Sequence, residues 1–123
     1  MILADSSVWI DHFRQANPLI PELLEQELIV MHPYVVGEIC LGSLADRHEV
    51  LEWLDGLPAA ITANDAEVRV LIEKERLFGV GIGYVDAHLL ASALIMAEGR
   101  LWTHDKRLRQ VAERLARAAT LNH

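Results

Sequence analysis

Cysteine is almost missing from this chain. Cys40 is the only one in 123 residues, which excludes an intrachain disulfide and a structural thiolate zinc site, and suits a reducing cytoplasm. Positive charge is scarce too: 11 Lys and Arg stand against 18 Asp and Glu, a formal net charge of −7. Proteins that grip nucleic acid through a broad basic surface draw their affinity from phosphate neutralisation. That class is disfavoured, and any nucleic-acid contact must be local or assisted by cations. No charge-free run approaches bilayer length, and Met1 to Asp5 reaches an acid before an apolar signal core can form. The expectation is a soluble, unprocessed cytoplasmic protein with no membrane association. Linkers, low-complexity segments and internal repeats are also missing. With 52% apolar residues, the chain can bury one sizeable core but is too short for two ordinary domains. Residues 1–123 are therefore expected to form a single domain.

What is present is an alternation of short apolar runs and amphipathic stretches. Strands are expected at Ile2 to Ala4, Leu28 to Met31, Ala59 to Thr62 and Arg100 to Thr103, with a further one at Ala119 to Leu121. Between them, Ser6 or Ser7 is expected to cap a helix reaching Arg14, Asn17 and Pro18 restart one, and Pro33 opens one running to about Leu44. Asp46 caps the next. Asn64 caps a long helix ending near Gly79, and two more cover Tyr84 to Ala97 and Asp105 to Arg117. Short, nearly all-apolar strands alternating with helices indicate an α/β fold, a parallel sheet covered on both faces.

The acids fall into two groups. Most lie on polar helix faces, including Asp65 and Glu67, and read as solvated. Four stand in otherwise apolar segments: Asp5, Glu38, Asp86 and Asp105. An ionised carboxylate withdrawn from water needs a cation or several donors beside it, so four in one small core suggest a shared cation. In an open parallel sheet, ligands bind beyond the carboxyl ends of the strands where strand order reverses. If the first and fourth strands are the adjacent central pair, Asp5 and Asp105 leave the sheet side by side, and Glu38 and Asp86 can point to the same end. Oxygen-only ligands select Mg²⁺ or Mn²⁺. Such an ion can acidify a bound water and neutralise charge on an attacked phosphate.

The four blocks around these acids are Met-Ile-Leu-Ala-Asp-Ser-Ser-Val-Trp-Ile-Asp, Val-Val-Gly-Glu-Ile-Cys-Leu-Gly, Tyr-Val-Asp-Ala-His-Leu-Leu-Ala-Ser-Ala and Leu-Trp-Thr-His-Asp-Lys-Arg-Leu. In content and order they resemble the signature blocks of VapC-type PIN-domain toxins, over nearly the whole chain. The resemblance implies a single PIN domain, a Rossmann-like α/β/α sandwich with a central parallel sheet of four to five strands. It matches Asp5, Glu38, Asp86 and Asp105 to an acidic quartet that is both catalytic and metal-holding, with Thr103 and Ser6 as secondary hydroxyl residues. It also implies Mg²⁺- or Mn²⁺-dependent cleavage of RNA, often tRNA or rRNA, and inhibition by a cognate antitoxin. A homodimer is expected from the resemblance and from the apolar surplus around Tyr34 to Leu44, with Arg14, Arg47 and Lys106 as phosphate contacts.

Plainer readings compete at each position. An Asp after a strand is commonly a helix cap, and Thr103 and Ser6 can simply satisfy backbone groups. His12, His88 and His104 near the acids invite a metal or general-base role, yet His88, two residues from Asp86 on a helix, points away and reads as structural; His104 reads as a surface or packed residue, Asp11 as solvated, and the three Trp as core or dimer contacts. Gly79, Gly81 and Gly83 follow a helix, match no phosphate-loop pattern and read as a turn. Two other functions remain: a non-catalytic interaction module of the same fold, and a nuclease acting on DNA.

Overall fold

The protein is described by a computed structural model covering residues 1–121. Its elements are β1 (Ile2–Ala4), α1 (Ser6–Arg14), α2 (Leu19–Glu25), β2 (Ile29–Val30), α3 (Pro33–Cys40), α4 (Arg47–Asp55), α5 (Asp65–Lys74), α6 (Tyr84–Ile95), β3 (Arg100–Trp102) and α7 (Lys106–Arg114). The sheet runs β2-β1-β3, all parallel, with Leu3 opposite both Val30 and Leu101. The expected adjacency of the first strand and Arg100–Trp102 is therefore present, and both end at the same edge. The two outer strands expected at Ala59 and Ala119 are each reduced to one bridge, Met31 to Ala59 and Leu101 to Ala118. Ala60 is buried, but Pro58, Ala59 and Ile61 are exposed and Arg117 to Ala119 half-buried, so little apolar burial rewards extending the pairing.

Two helices stop earlier than their apolar periodicity suggests, for local reasons. Arg47 donates to the Cys40 and Gly42 carbonyls at 2.5 and 3.0 Å, satisfying the end of α3 four residues short of Leu44. Beyond α5, Arg76 takes a left-handed conformation (φ 52°), and the Leu77 amide closes back on the Ile72 carbonyl at 2.9 Å. Gly79 and Gly81, with φ of 70° and 85°, turn the chain toward α6 as expected.

Helix α6 is the spine. Seven consecutive residues, Ala87 to Ala93, are buried, because α6 packs on β1 and β3 and carries α5 as well. Small side chains at Ala87 and Ala91 let Ala63 and Val68 approach on that second side. Helix α1 packs on β1 and α3, and α4 on α3. The main core joins Leu3, Trp9, Ile20, Ile39, Leu54, Leu90, Leu101 and Leu108. No helix among the described residues is long and apolar enough to cross a membrane.

Candidate active site

Asp5 ends β1 and begins α1 at once. Its amide still donates to the Trp102 carbonyl at 2.9 Å in sheet fashion, while its carboxylate caps the helix, Oδ1 accepting the Val8 amide at 3.2 Å. The cap was expected at Ser6 or Ser7; it is Asp5 itself, because a helix starting one residue past the strand leaves only that side chain in reach. Asp5 is 5% exposed and surrounded by donors. Ser7 Oγ donates to Oδ1 at 2.5 Å, and the Thr103 hydroxyl donates to Oδ2. Capping therefore does not compete with a chemical role here, since the cap is what holds a charged group in a buried position.

Thr103 links two acids. Its oxygen accepts the Asp105 amide at 3.0 Å while its proton points at Asp5. Asp105 in turn caps α7, taking the Leu108 amide on Oδ1 at 2.9 Å. Asp86 lies in the first turn of α6, where Oδ2 accepts the Gly83 amide at 3.0 Å. Burial pushes the Asp86 carboxyl above the usual range, the Gly83 amide opposes this, and the charges of Asp5 and Asp105 raise it further. Three acids from three elements thus share one electrostatic neighbourhood, each at the N-terminus of its own helix. Aligned peptide dipoles favour negative charge there. Glu38 sits instead in the second half of α3 and has no such support. Ser6 holds it, donating to Oε1 at 3.0 Å.

Every donor in this set is a hard carboxylate oxygen, the chemistry that Mg²⁺ and Mn²⁺ accept. Asp86 Oδ1, Asp105 Oδ2 and Glu38 Oε2 receive no hydrogen bond among the described residues. Asp5, Asp86 and Asp105 are neighbours, with Glu38 joined to them only through Ser6 beside Asp5, and they do not form a closed cage: among the described residues no group of three His, Cys, Asp or Glu side chains is drawn tightly enough to hold an ion. Each is turned toward its own amide or hydroxyl donor. Such a set fits an ion that keeps several waters.

The raised Asp86 carboxyl has a measurable consequence. The folded protein holds this proton more tightly than the unfolded chain, so Asp86 favours folding below its ordinary pKa of 3.8 and loses that contribution as pH rises through its higher folded value. In metal-free buffer, Asp86→Asn, which keeps an oxygen for Gly83, should raise the melting temperature at pH 7 by about 2–4 °C. The gain should vanish toward pH 3. A lower melting temperature at pH 7 would instead mark Asp86 as a structural ion-pair partner.

The PIN-domain family model matches residues 2–114. The chain belongs to the PIN-domain family. Ribonuclease VapC32 of Mycobacterium tuberculosis is similar to it, 44% identical over 109 residues, covering 89% of this chain and 88% of the relative, in strains CDC 1551 / Oshkosh and ATCC 25618 / H37Rv alike. The resemblance drawn from the four blocks, and the α/β class with it, is borne out.

Within this PIN domain, other residues find partners that the sequence does not announce. Asp11 is bonded to His104, Oδ2 to Nδ1 at 2.5 Å, and the His104 amide donates to Ser7 Oγ at 3.0 Å. Ser7 is thus a site residue that the sequence reading passed over. Its signal was its place two residues after the capping Asp, where a hydroxyl can fold back on the carboxylate. His12 accepts the Asn17 amide at 2.9 Å and is structural. Arg47 is exposed and donates to the carbonyls of Cys40, the last residue of α3, and of Gly42 just beyond it. Trp9 and Trp102 are core residues, whereas Trp53 is 46% exposed. Asp65 is exposed, as read, and is also bonded to Tyr84 and His88.

Proposed function

We propose that this PIN domain is an endoribonuclease, the toxin half of a toxin–antitoxin pair, which hydrolyses RNA phosphodiester bonds with Mg²⁺ or Mn²⁺. The observation that carries this reading is the gathering of Asp5, Asp86 and Asp105 beyond the carboxyl ends of adjacent parallel strands, expressed in the raised Asp86 carboxyl. The VapC32 relatives, named as ribonucleases, support it. Asp5, Glu38, Asp86 and Asp105 would hold the ion, which when bound would acidify a water and offset charge on the attacked phosphate. The chain's own residues prepare that place. Thr103 and Ser7 fix the Asp5 carboxylate, Thr103 also holds the Asp105 backbone, and Ser6 brings Glu38 toward the end of β1.

The same reading extends to partners. A cognate antitoxin is proposed to place an Arg among the carboxylates, where a forked guanidinium can satisfy several oxygens. The exposed Tyr34 of α3, Leu41 just past its end and Trp53 of α4 offer apolar surface that supports a homodimer. A reducing cytoplasm and a single domain over the whole chain complete the proposal. The test is incubation with mixed RNA and single-stranded DNA, with and without Mn²⁺ or Mg²⁺, followed by mapping of the ends. RNA should be cut internally only when metal is present. Intact RNA under all conditions would favour a non-catalytic module, and cut DNA a different substrate.

A further inference from the structure

A second polar cluster stands behind Asp86, on the opposite side of α6 from the acids. Asp65 Oδ1 accepts the Tyr84 hydroxyl at 2.6 Å and the His88 Nε2–H at 3.0 Å. A carboxylate can only accept, so it fixes the proton of His88 on Nε2. His88 is 2% exposed and sits edge-on between the rings of Tyr34 and Tyr84, with both centroids at 4.8 Å. Asp65 is free to make these bonds because its neighbour Asn64 does the capping of α5, exchanging hydrogen bonds with Glu67 at 2.8 and 3.0 Å.

Tyr84 and His88 are four residues apart and share one face of α6. Asp86, two residues from each, lies about 200° round the helix on the other face. The body of α6 is held by its buried run Ala87 to Ala93, but its first turn is packed more thinly, with Tyr84 46% exposed and Val85 and Asp86 half-buried. Two anchors on one face supply what that packing lacks. They fix the set of the first turn of α6, and with it the direction in which Asp86 and its Gly83 hydrogen bond point. Tyr34 brings α3 into the same cluster, one helical turn before Glu38.

We infer that Asp65 is a positioning residue for Asp86, acting through Tyr84 and His88 to set the first turn of α6. The inference rests on the ribonuclease reading for its catalytic consequence, but its structural link can be measured separately.

Asp65→Ala, Asp65→Asn and Tyr84→Phe test it, with two readouts. The first is metal-dependent RNA cleavage. Asp65→Ala should lower kcat about 10-fold, the scale expected for partners behind a metal-holding group, with KM for RNA changed less than about two-fold. Asp65→Asn keeps an acceptor oxygen and should recover most of the loss, while Tyr84→Phe, losing one anchor of two, should fall between. The second readout is the Gly83 amide proton shift in the metal-free protein, which reports the Gly83–Asp86 hydrogen bond. It should move upfield in Asp65→Ala and stay in Asp65→Asn. A lower melting temperature in Asp65→Ala with kcat and the Gly83 shift unchanged overturns the inference, leaving Asp65 a purely structural residue. If the wild type cuts no RNA, the ribonuclease reading fails, and the Gly83 shift alone then decides the positioning link.

Discussion

Asp5→Asn is expected to reduce RNA cleavage at saturating Mn²⁺ by more than about 100-fold, since even partners behind metal ligands are worth ~10–100-fold, while the fold survives. The amide keeps an oxygen for the Val8 amide and the Ser7 hydroxyl, so the α1 cap persists. What changes is the other side. The Thr103 hydroxyl now donates to a carboxylate oxygen and accepts the Asp105 amide; facing an NH₂ group it must turn away, and the charge that Asp5 contributes to the cluster is gone. Losing one charge-assisted bond should cost about 1–2 kcal/mol, a fall in melting temperature of about 4–8 °C. Initial cleavage rates and a circular-dichroism melt check both halves. An Asn variant retaining a tenth of wild-type activity would remove Asp5 from the reaction centre.

The largest effect on stability is expected far from the acids, at Gly99. This buried glycine joins α6 to β3, and a Cβ there would lie 2.2 Å from the Ala93 carbonyl oxygen and 3.1 Å from the Ala93 Cα. Those atoms belong to the backbone of α6, which is packed on the sheet and has no free side to yield. Gly99→Ala should therefore cost about 3 kcal/mol, a large share of the ~5–15 kcal/mol that holds a domain of this size together. The melting temperature should fall by roughly 10 °C. Gly37→Ala is the control: it lies within α3 with nothing within 4 Å of the added carbon, and should stabilise by ~0.5–1 kcal/mol. Equal melting temperatures for wild type and Gly99→Ala would mean that α6 and β3 can move apart at little cost.

The elements were legible where one residue type carries one signal. Pro33 opens α3, Asn64 caps α5 with Glu67, and the apolar run Ile2 to Ala4 is the central strand. Boundaries were lost where the ending is set by a distant group or a backbone conformation: Arg47 reaching back to Cys40, or Arg76 turning left-handed. The outer strands failed for a related reason. Apolar content at Ala59 to Thr62 marks a segment able to pair, but pairing extends only where both faces are covered, and Ile61 is 55% exposed.

The candidate site divides in the same way. That Asp5, Glu38, Asp86 and Asp105 differ from the other acids is a property of the chain alone, because a carboxylate amid Ile, Val, Leu and Ala must find donors or a cation wherever the fold puts it. Their order along the chain, and the blocks around them, also identify the family without coordinates. What no linear reading supplies is which donors each acid finds. Thr103 reaches Asp5 across 98 positions, Ser6 reaches Glu38 across 32 and His88 reaches Asp65 across 23, and each pairing exists only because parallel strands and packed helices bring those positions together. Asp65 and Asp86 are both acids in the first turn of a helix. Tertiary structure alone makes one a member of the acidic cluster and the other a hydrogen-bonding partner of Tyr84 and His88, because burial and the nearest donors are set by neighbours in space and not by neighbours in the chain.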